Sequence, residues 1–186
     1  MLFHCTKGDC RFWGEGAAMP DACPRCGGAL TAGERAKMSG DDWCALGVFW
    51  MEQDGAEEKA VSCFRRAARL GSGWGACNLG LCLEQGTGIE ADPRQAVWLY
   101  QQAAEMGSLP ALCNLAVCYL NGIGVEEDMA QAVAWFQKAV EGGSARAKSI
   151  LGDFYLDGRG VEQDKEKALS LYRESAADGY LPAICS

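Results

Sequence analysis

With 186 residues, 49% of them hydrophobic and 23% charged, the chain has the length and composition of one or two packed globular domains. Residues 1–40 hold five basic against four acidic side chains, so of the totals of 17 and 25 residues 41–186 carry 12 basic and 21 acidic ones, a balance of −9 that repels nucleic acid and anionic lipid. No run approaches the ~18 apolar residues of a membrane span, the first ten residues lack the basic segment and apolar core of a secretory leader, and eleven cysteines, an odd number, argue against a fully paired disulfide scaffold; a cytoplasmic protein with reduced thiols is expected.

Residues 1–35 read as a small zinc-binding β module. Cys5 and Cys10 form one pair, and Cys23-Pro24-Arg25-Cys26-Gly27-Gly28 supplies a second twelve residues later. Two tight turns that each offer a thiolate pair meet the tetrahedral, soft-ligand preference of zinc. So short a segment needs a staple in place of an apolar core, and a structural zinc site contributes ~10–16 kcal/mol of coupled binding and folding. The metal ligands are therefore assigned to Cys5, Cys10, Cys23 and Cys26, with the second pair resembling a zinc-ribbon knuckle and the first spanning a longer loop. His4, the one histidine, is the alternative to Cys5. A redox Cys-x-x-Cys is the alternative use of Cys23 and Cys26, although no thioredoxin-like βαβ pattern surrounds them. Lys7, Arg11 and Arg25 alternate with Phe3, Phe12 and Trp13, a mixture able to stack bases, but a formal charge of only about +1 favours a folding unit that caps the remainder of the chain.

From residue 41 the sequence repeats every 36 residues. Leu79-Gly80, Leu115-Ala116 and Leu151-Gly152 keep that spacing, as do Gly88, Gly124 and Gly160, then Asp92, Asp128 and Asp164, then Tyr100, Phe136 and Tyr172. Leu46-Gly47 lies only 33 residues before Leu79-Gly80, so the first copy has a turn shorter by three residues. Four repeats result, at about 41–73, 74–109, 110–145 and 146–182, and 183–186 read as a C-terminal stub. Each repeat predicts two helices. The first shows apolar residues at helical spacing and stops at a Gly-x-Gly turn such as Gly122-Ile123-Gly124, where glycine suits the left-handed position that closes a helix. The second starts at Asp92, Asp128 or Asp164 as N-cap. Asp92 with Gln95 and Asp128 with Gln131 match a capping box. Small residues at Ala96, Ala103 and Ala104 allow close approach, and Trp98, Tyr100, Trp135, Phe136 and Tyr172 are expected to fill the space between helices. One hairpin cannot bury its apolar face alone, so stacking four makes the core. The remaining cysteines follow the repeat, with Cys77 and Cys113 in one column and Cys82 and Cys118 in another, and are expected to pack as small hydrophobes.

The pattern Leu-Gly-x-x-Tyr, Gly-x-Gly-Val, Asp-x-x-x-Ala-x-x-Trp-Tyr/Phe-x-x-Ala, with Asn121-Gly122-Ile123-Gly124-Val125-Glu126-Glu127-Asp128 as its closest instance, resembles the Sel-one-like repeat (SLR) family, a relative of the tetratricopeptide repeat. The resemblance covers roughly residues 41–182 and implies an all-α, right-handed αα-hairpin solenoid serving as a non-catalytic adaptor or scaffold for a protein or peptide partner. Two departures stand out. The first repeat has the shorter turn, and the disulfide that a cysteine-rich bacterial branch places between second and first helices is unavailable, because Ala104 and Val140 occupy its position.

In such solenoids the first helices line the concave face. The exposed inner positions then fall near Cys44 and Val48, Asn78 and Leu81, Asn114 and Val117, and Asp153, and Asn78, Leu81, Asn114, Val117 and Asp153 are the expected partner-binding residues. An amide pairs with both N–H and C=O of an extended peptide, although Asn78 and Asn114 are equally suited to tying neighbouring helices together. An enzyme is the competing class, yet the chain has no phosphate-binding Gly-x-x-x-x-Gly-Lys, no dinucleotide fingerprint after a strand and no second histidine for acid–base work. Nucleic-acid binding through the zinc module is the alternative function.

Overall fold

A computed structural model describes the backbone of residues 2–5, 13–15 and 30–32 and the whole of residues 38–180. The chain forms two compact units, Met1–Leu99 and Tyr100–Ser186. The first unit opens with β1 (Leu2–Cys5), β2 (Trp13–Glu15) and β3 (Leu30–Ala32), an antiparallel sheet in the order β2-β1-β3 that sets Cys5 opposite Leu30. It continues through α1 (Gly40–Met51), α2 (Glu57–Arg69), α3 (Gly73–Gln85) and the start of α4 (Pro93–Glu105). The second unit holds the end of α4, then α5 (Leu109–Asn121), α6 (Met129–Glu141), α7 (Ala145–Asp157) and α8 (Lys165–Ala177). Eight helices are thus present among the described residues, in four hairpins.

The helix ends are set by the residues that recur from repeat to repeat. Gly86, Gly122 and Gly158 close α3, α5 and α7 at φ of 71°, 67° and 70°, the left-handed region where a side chain is strained. Asp92, Asp128 and Asp164 each accept the backbone N–H three residues on, at 3.0, 3.0 and 2.9 Å. The reciprocal half of the expected capping box is not made at Asp128, because its own N–H donates to the Tyr119 carbonyl at 2.8 Å. Asp92 and Asp164 direct theirs in the same way to Leu83 and Tyr155, also at 2.8 Å. This bond spans the long turn and fastens the start of each second helix to the end of the first. The complete capping box lies instead at Ser39 and Asp42, at the head of α1. The shorter turn of the first repeat carries no left-handed cap at Glu52; its left-handed glycine is Gly55.

Packing within a hairpin rests on the Leu-Gly pair. Leu46 is buried, and a Cβ built on the adjacent Gly47 would lie 2.5 Å from the ring of Phe64 on α2. Gly152 stands in the same relation to Tyr172 of α8, at 2.8 Å. Packing between hairpins uses the second glycine of the long turn. A Cβ on Gly88 would fall 2.5 Å from the backbone of Glu57, and one on Gly160 would meet Met129 and Val133 of α6. In the second unit Phe136 and Phe154 meet edge to face with centroids 5.6 Å apart, inside a core shared by α5 to α8. The repeat cysteines Cys77, Cys82, Cys113 and Cys118 are buried as predicted, and Cys44 and Cys63 are buried as well. Trp98 does not fill the interior as expected; it is 56% exposed. The buried stripe of α4 runs through Ala96, Tyr100 and Ala103, and Trp98 lies off it by helical periodicity.

A methyl at Gly47 has nowhere to go, since Phe64 is itself buried. Gly47→Ala and Gly152→Ala should each destabilise the fold by about 1–3 kcal/mol, the usual cost of overpacking. Chemical denaturation followed by circular dichroism reads this as a lowered midpoint, and unchanged midpoints would refute the close approach.

Candidate functional site

The column of first-helix positions Val48, Leu81, Val117 and Asp153 is where the repeat offers side chains to solvent. Leu81 is 38% exposed, although α3 buries its other leucines. Asp153 is also exposed, whereas Val48 and Val117 are half-buried and Val117 packs on the core of the second unit. Cys44, expected near the exposed row, is instead buried: at its place in α1 it faces α3, not solvent.

Asn78 is half-buried and its Nδ2 donates to Cys44 Sγ at 3.3 Å, so it ties α3 to α1. Burial pushes the Cys44 thiol up from its usual value, the Asn78 bond offsets this in part, and the charge of Asp41 adds to the rise. Burial alone raises Cys82. Asn114, in the matching position of α5, is half-buried as well.

In the second unit Asp153 accepts a hydrogen bond of 2.5 Å from the Tyr172 hydroxyl. Burial, this bond and the charges of Asp153 and Asp157 raise the hydroxyl well above the usual tyrosine value. Sequence reasoning placed Tyr172 only in the packing. The available signal was a joint one: the column Phe64, Tyr100, Phe136 and Tyr172 carries a hydroxyl in the same repeat where an aspartate stands in the place of Val117.

A second cross-helix pairing recurs with changing chemistry. Trp43 of α1 lies 4.7 Å beneath the Arg66 guanidinium of α2. Two repeats on, the corresponding Leu112 and Lys138 line a cleft of about 590 Å3 with Gln101, Ala104, Glu105 and Trp135, and Lys138 Nζ sits 3.9 Å from the Trp135 ring centre. In the last repeat the pair becomes Lys148 with Glu174 at 3.3 Å, joined by Asp178 at 2.8 Å. These contacts hold hairpins together and assemble no nucleophile with a base.

Cys10, Cys23 and Cys26 lie outside the described residues, as does the side chain of Cys5, and so do His4 as a side chain and the stub 183–186. Among the described residues no three His, Cys, Asp or Glu side chains gather to hold a metal ion. No helix among them is long and apolar enough to cross a membrane.

The raised thiols and phenol have a consequence for stability. Between its ordinary value and its raised folded value each group keeps its proton in the folded chain and loses it in the unfolded one, so its contribution is complete below the ordinary 9.0 for thiols and 10.0 for tyrosine and is lost as pH climbs through the higher folded values. Denaturation midpoints should therefore fall on the alkaline side of 9.0, and the decline should flatten in Cys82→Ala and Tyr172→Phe. A slope unaltered by both substitutions would assign the alkaline loss elsewhere.

The Sel1 repeat profile matches residues 38–72, 75–108, 109–144 and 145–180. The structure is similar to that of a Sel1 repeat protein from Oxalobacter formigenes, with 31% identity, a TM-score of 0.71, and coverage of 78% of this chain and 60% of that one. It is similar also to a protective antigen of SLR fold present in uropathogenic Escherichia coli strains, with 30% identity, a TM-score of 0.69, and coverage of 78% and 32%. Cysteine rich protein B of Helicobacter pylori, 21% identical with a TM-score of 0.53 over 64% of this chain and 91% of its own, shares the fold. The chain spans 60% and 32% of the lengths of the first two. No curated protein sequence matches it significantly. Members of this family are generally protein-interaction scaffolds and typically lack catalysis. Four matched repeats, carried on the hairpins described above, make this chain a member of the Sel1 repeat family.

Proposed function

We propose that the protein is a non-catalytic adaptor whose first helices hold a protein or peptide partner. The observation that carries this reading is Leu81: an apolar side chain left 38% exposed on α3, a helix whose other leucines are buried. In a scaffold, such a position is free to vary because it does not stabilise the hairpin, and it contributes by burying apolar area against a partner. In the second unit Asp153 offers a carboxylate fixed by Tyr172, which orients it toward a donor on the partner. Val117 and Asn114 flank it from α5, half-buried, and supply contact more than anchoring. Asn78 belongs chiefly to the fold, through its bond to Cys44.

The N-terminal cysteines complete the reading. Cys5, Cys10, Cys23 and Cys26 hold a structural zinc ion, which supplies the folding energy that a segment of this size lacks, and the protein works in the cytoplasm with its thiols reduced. The spacing of the cysteines supports this assignment.

Affinity capture from nuclease-treated lysate of the source cell, followed by mass spectrometry, tests the adaptor. A discrete protein should be retained by the native chain and lost with Leu81→Glu or Asp153→Lys, while helicity stays unchanged. Retention unaffected by both substitutions, or dependent on nucleic acid, would overturn the assignment of this surface. For the metal, elemental analysis should find one zinc per chain, and chelation should remove it while leaving the helical signal of residues 41–182 in place. Zinc retained by Cys23→Ser/Cys26→Ser protein would exclude the four-thiolate site.

A further inference from the structure

The cleft beside Trp135 differs from the same place one repeat later. There Lys148 stands in the column of Leu112 and Glu174 in that of Lys138, and the two pair at 3.3 Å, with Asp178 joining at 2.8 Å. That ion pair ties α7 to α8. In the third repeat both of its members are changed. Leu112 brings no charge to meet Lys138, which has no ion-pair partner among the described residues and lays its ammonium over the Trp135 ring. The cleft of about 590 Å3 is walled by Gln101, Ala104 and Glu105 of α4, Leu112 of α5, and Trp135 and Lys138 of α6. Its volume falls within the roughly 300–1,000 Å3 of small-molecule sites.

The walls differ in chemistry. On α6 the Lys138 ammonium is joined by the Trp135 indole N–H, which is shut off from solvent and has no acceptor, a costly state for a buried donor. The rest of the Trp135 column, Cys63, Leu99 and Leu171, is buried, whereas Trp135 itself is half-buried. On α4 the Glu105 carboxylate is exposed and accepts a hydrogen bond of 3.4 Å from Gln102 Nε2. Leu112 and Ala104, both half-buried, add apolar surface. Glu105 and Lys138 thus offer opposite charges to one cleft from two helices without pairing with each other.

We propose that this cleft binds a small zwitterion with an apolar body, an apolar amino acid or a short peptide of such residues, with its carboxylate on Lys138 and its ammonium on Glu105. The carboxylate takes the part that Glu174 plays in the last repeat and gives the Trp135 N–H the acceptor it lacks. Leu112 and Ala104 receive the apolar side chain. The site shares no residue with Leu81, Asn114, Val117 or Asp153 and stands independently of the adaptor reading.

Isothermal titration calorimetry of the full chain with leucine, leucyl-leucine and trileucine tests this. At least one of the three should bind at a single site, and which one binds separates a free amino acid from a short peptide. The same compound blocked at both ends should bind roughly tenfold more weakly or worse, the loss expected for a charge-assisted hydrogen bond, and Lys138→Met should show a similar loss. Since Lys138 also packs on Trp135, a second variant keeps the test clear of folding effects. Leu112→Lys combined with Lys138→Glu carries the pairing of Lys148 with Glu174 into the third repeat, across two walls of the cleft, and should abolish binding with helicity and denaturation midpoint retained. No binding of any of the three at millimolar concentration, blocked compounds that bind as well as free ones, or undiminished binding by the double variant would each overturn the proposal.

Discussion

Close approach between the first helix of a hairpin and the aromatic ring of the second is the constraint on which the other packing contacts depend. At Gly47 and Gly152 the ring occupies the space a Cβ would need. Phe64 buries against Gly47 and Tyr172 packs half-buried against Gly152, and in each hairpin the ring sets the separation of the two helices. In the third repeat Ala116 takes the glycine's place, and both it and Phe136 are fully buried. The next contact in the hierarchy is equally steric, with Gly88 and Gly160 letting a long turn rest on the preceding hairpin. A sequence that keeps these small residues repeats one hairpin geometry, whatever it places elsewhere.

That division explains why other columns vary freely. The pairing that begins as Trp43 under Arg66 ends as Lys148 with Glu174 and Asp178, an aromatic–cation contact replaced by an ion pair. Trp43 is buried beneath its guanidinium, whereas Glu174 and Asp178 are exposed, so solvent screens the later pair. Residues free of the packing constraint are those available for recognition. Leu81 and Asp153 occupy one column of this kind and differ in chemistry, which is the variation that the proposed adaptor role would draw on in each unit.

Much of the fold is legible in the order of residues alone. The period of 36, the left-handed glycines at Gly86, Gly122 and Gly158, the aspartate caps and the burial of the cysteine columns all come from local rules of helix ends and small-residue packing. Other features are not legible there. The capping box at Asp128 reads well in sequence, yet the N–H it would use is already given to Tyr119 nine residues earlier, a partner no local window contains. Trp98 is misplaced by its size, because a large aromatic near a buried tyrosine suggests filling, while the helical phase turns it to solvent. Counting along α1 sets Cys44 among exposed positions, and only the packing of α3 against that helix buries it.

The sequence by itself determined the number of hairpins and the family, because periodic glycine, alanine and aspartate encode backbone conformations that hold in any context. It also supplied the cysteine spacing from which a zinc site is proposed. The tertiary structure alone decided which polar groups meet, as in Asn78 with Cys44 and Tyr172 with Asp153, and which member of a column stays exposed. Leu169 shows the reason most plainly. Its chemistry is that of Val61, Val97 and Val133, and it differs from them solely in lacking a following turn to cover it within the described residues. Burial depends on neighbours brought near by folding, which a one-dimensional pattern does not contain.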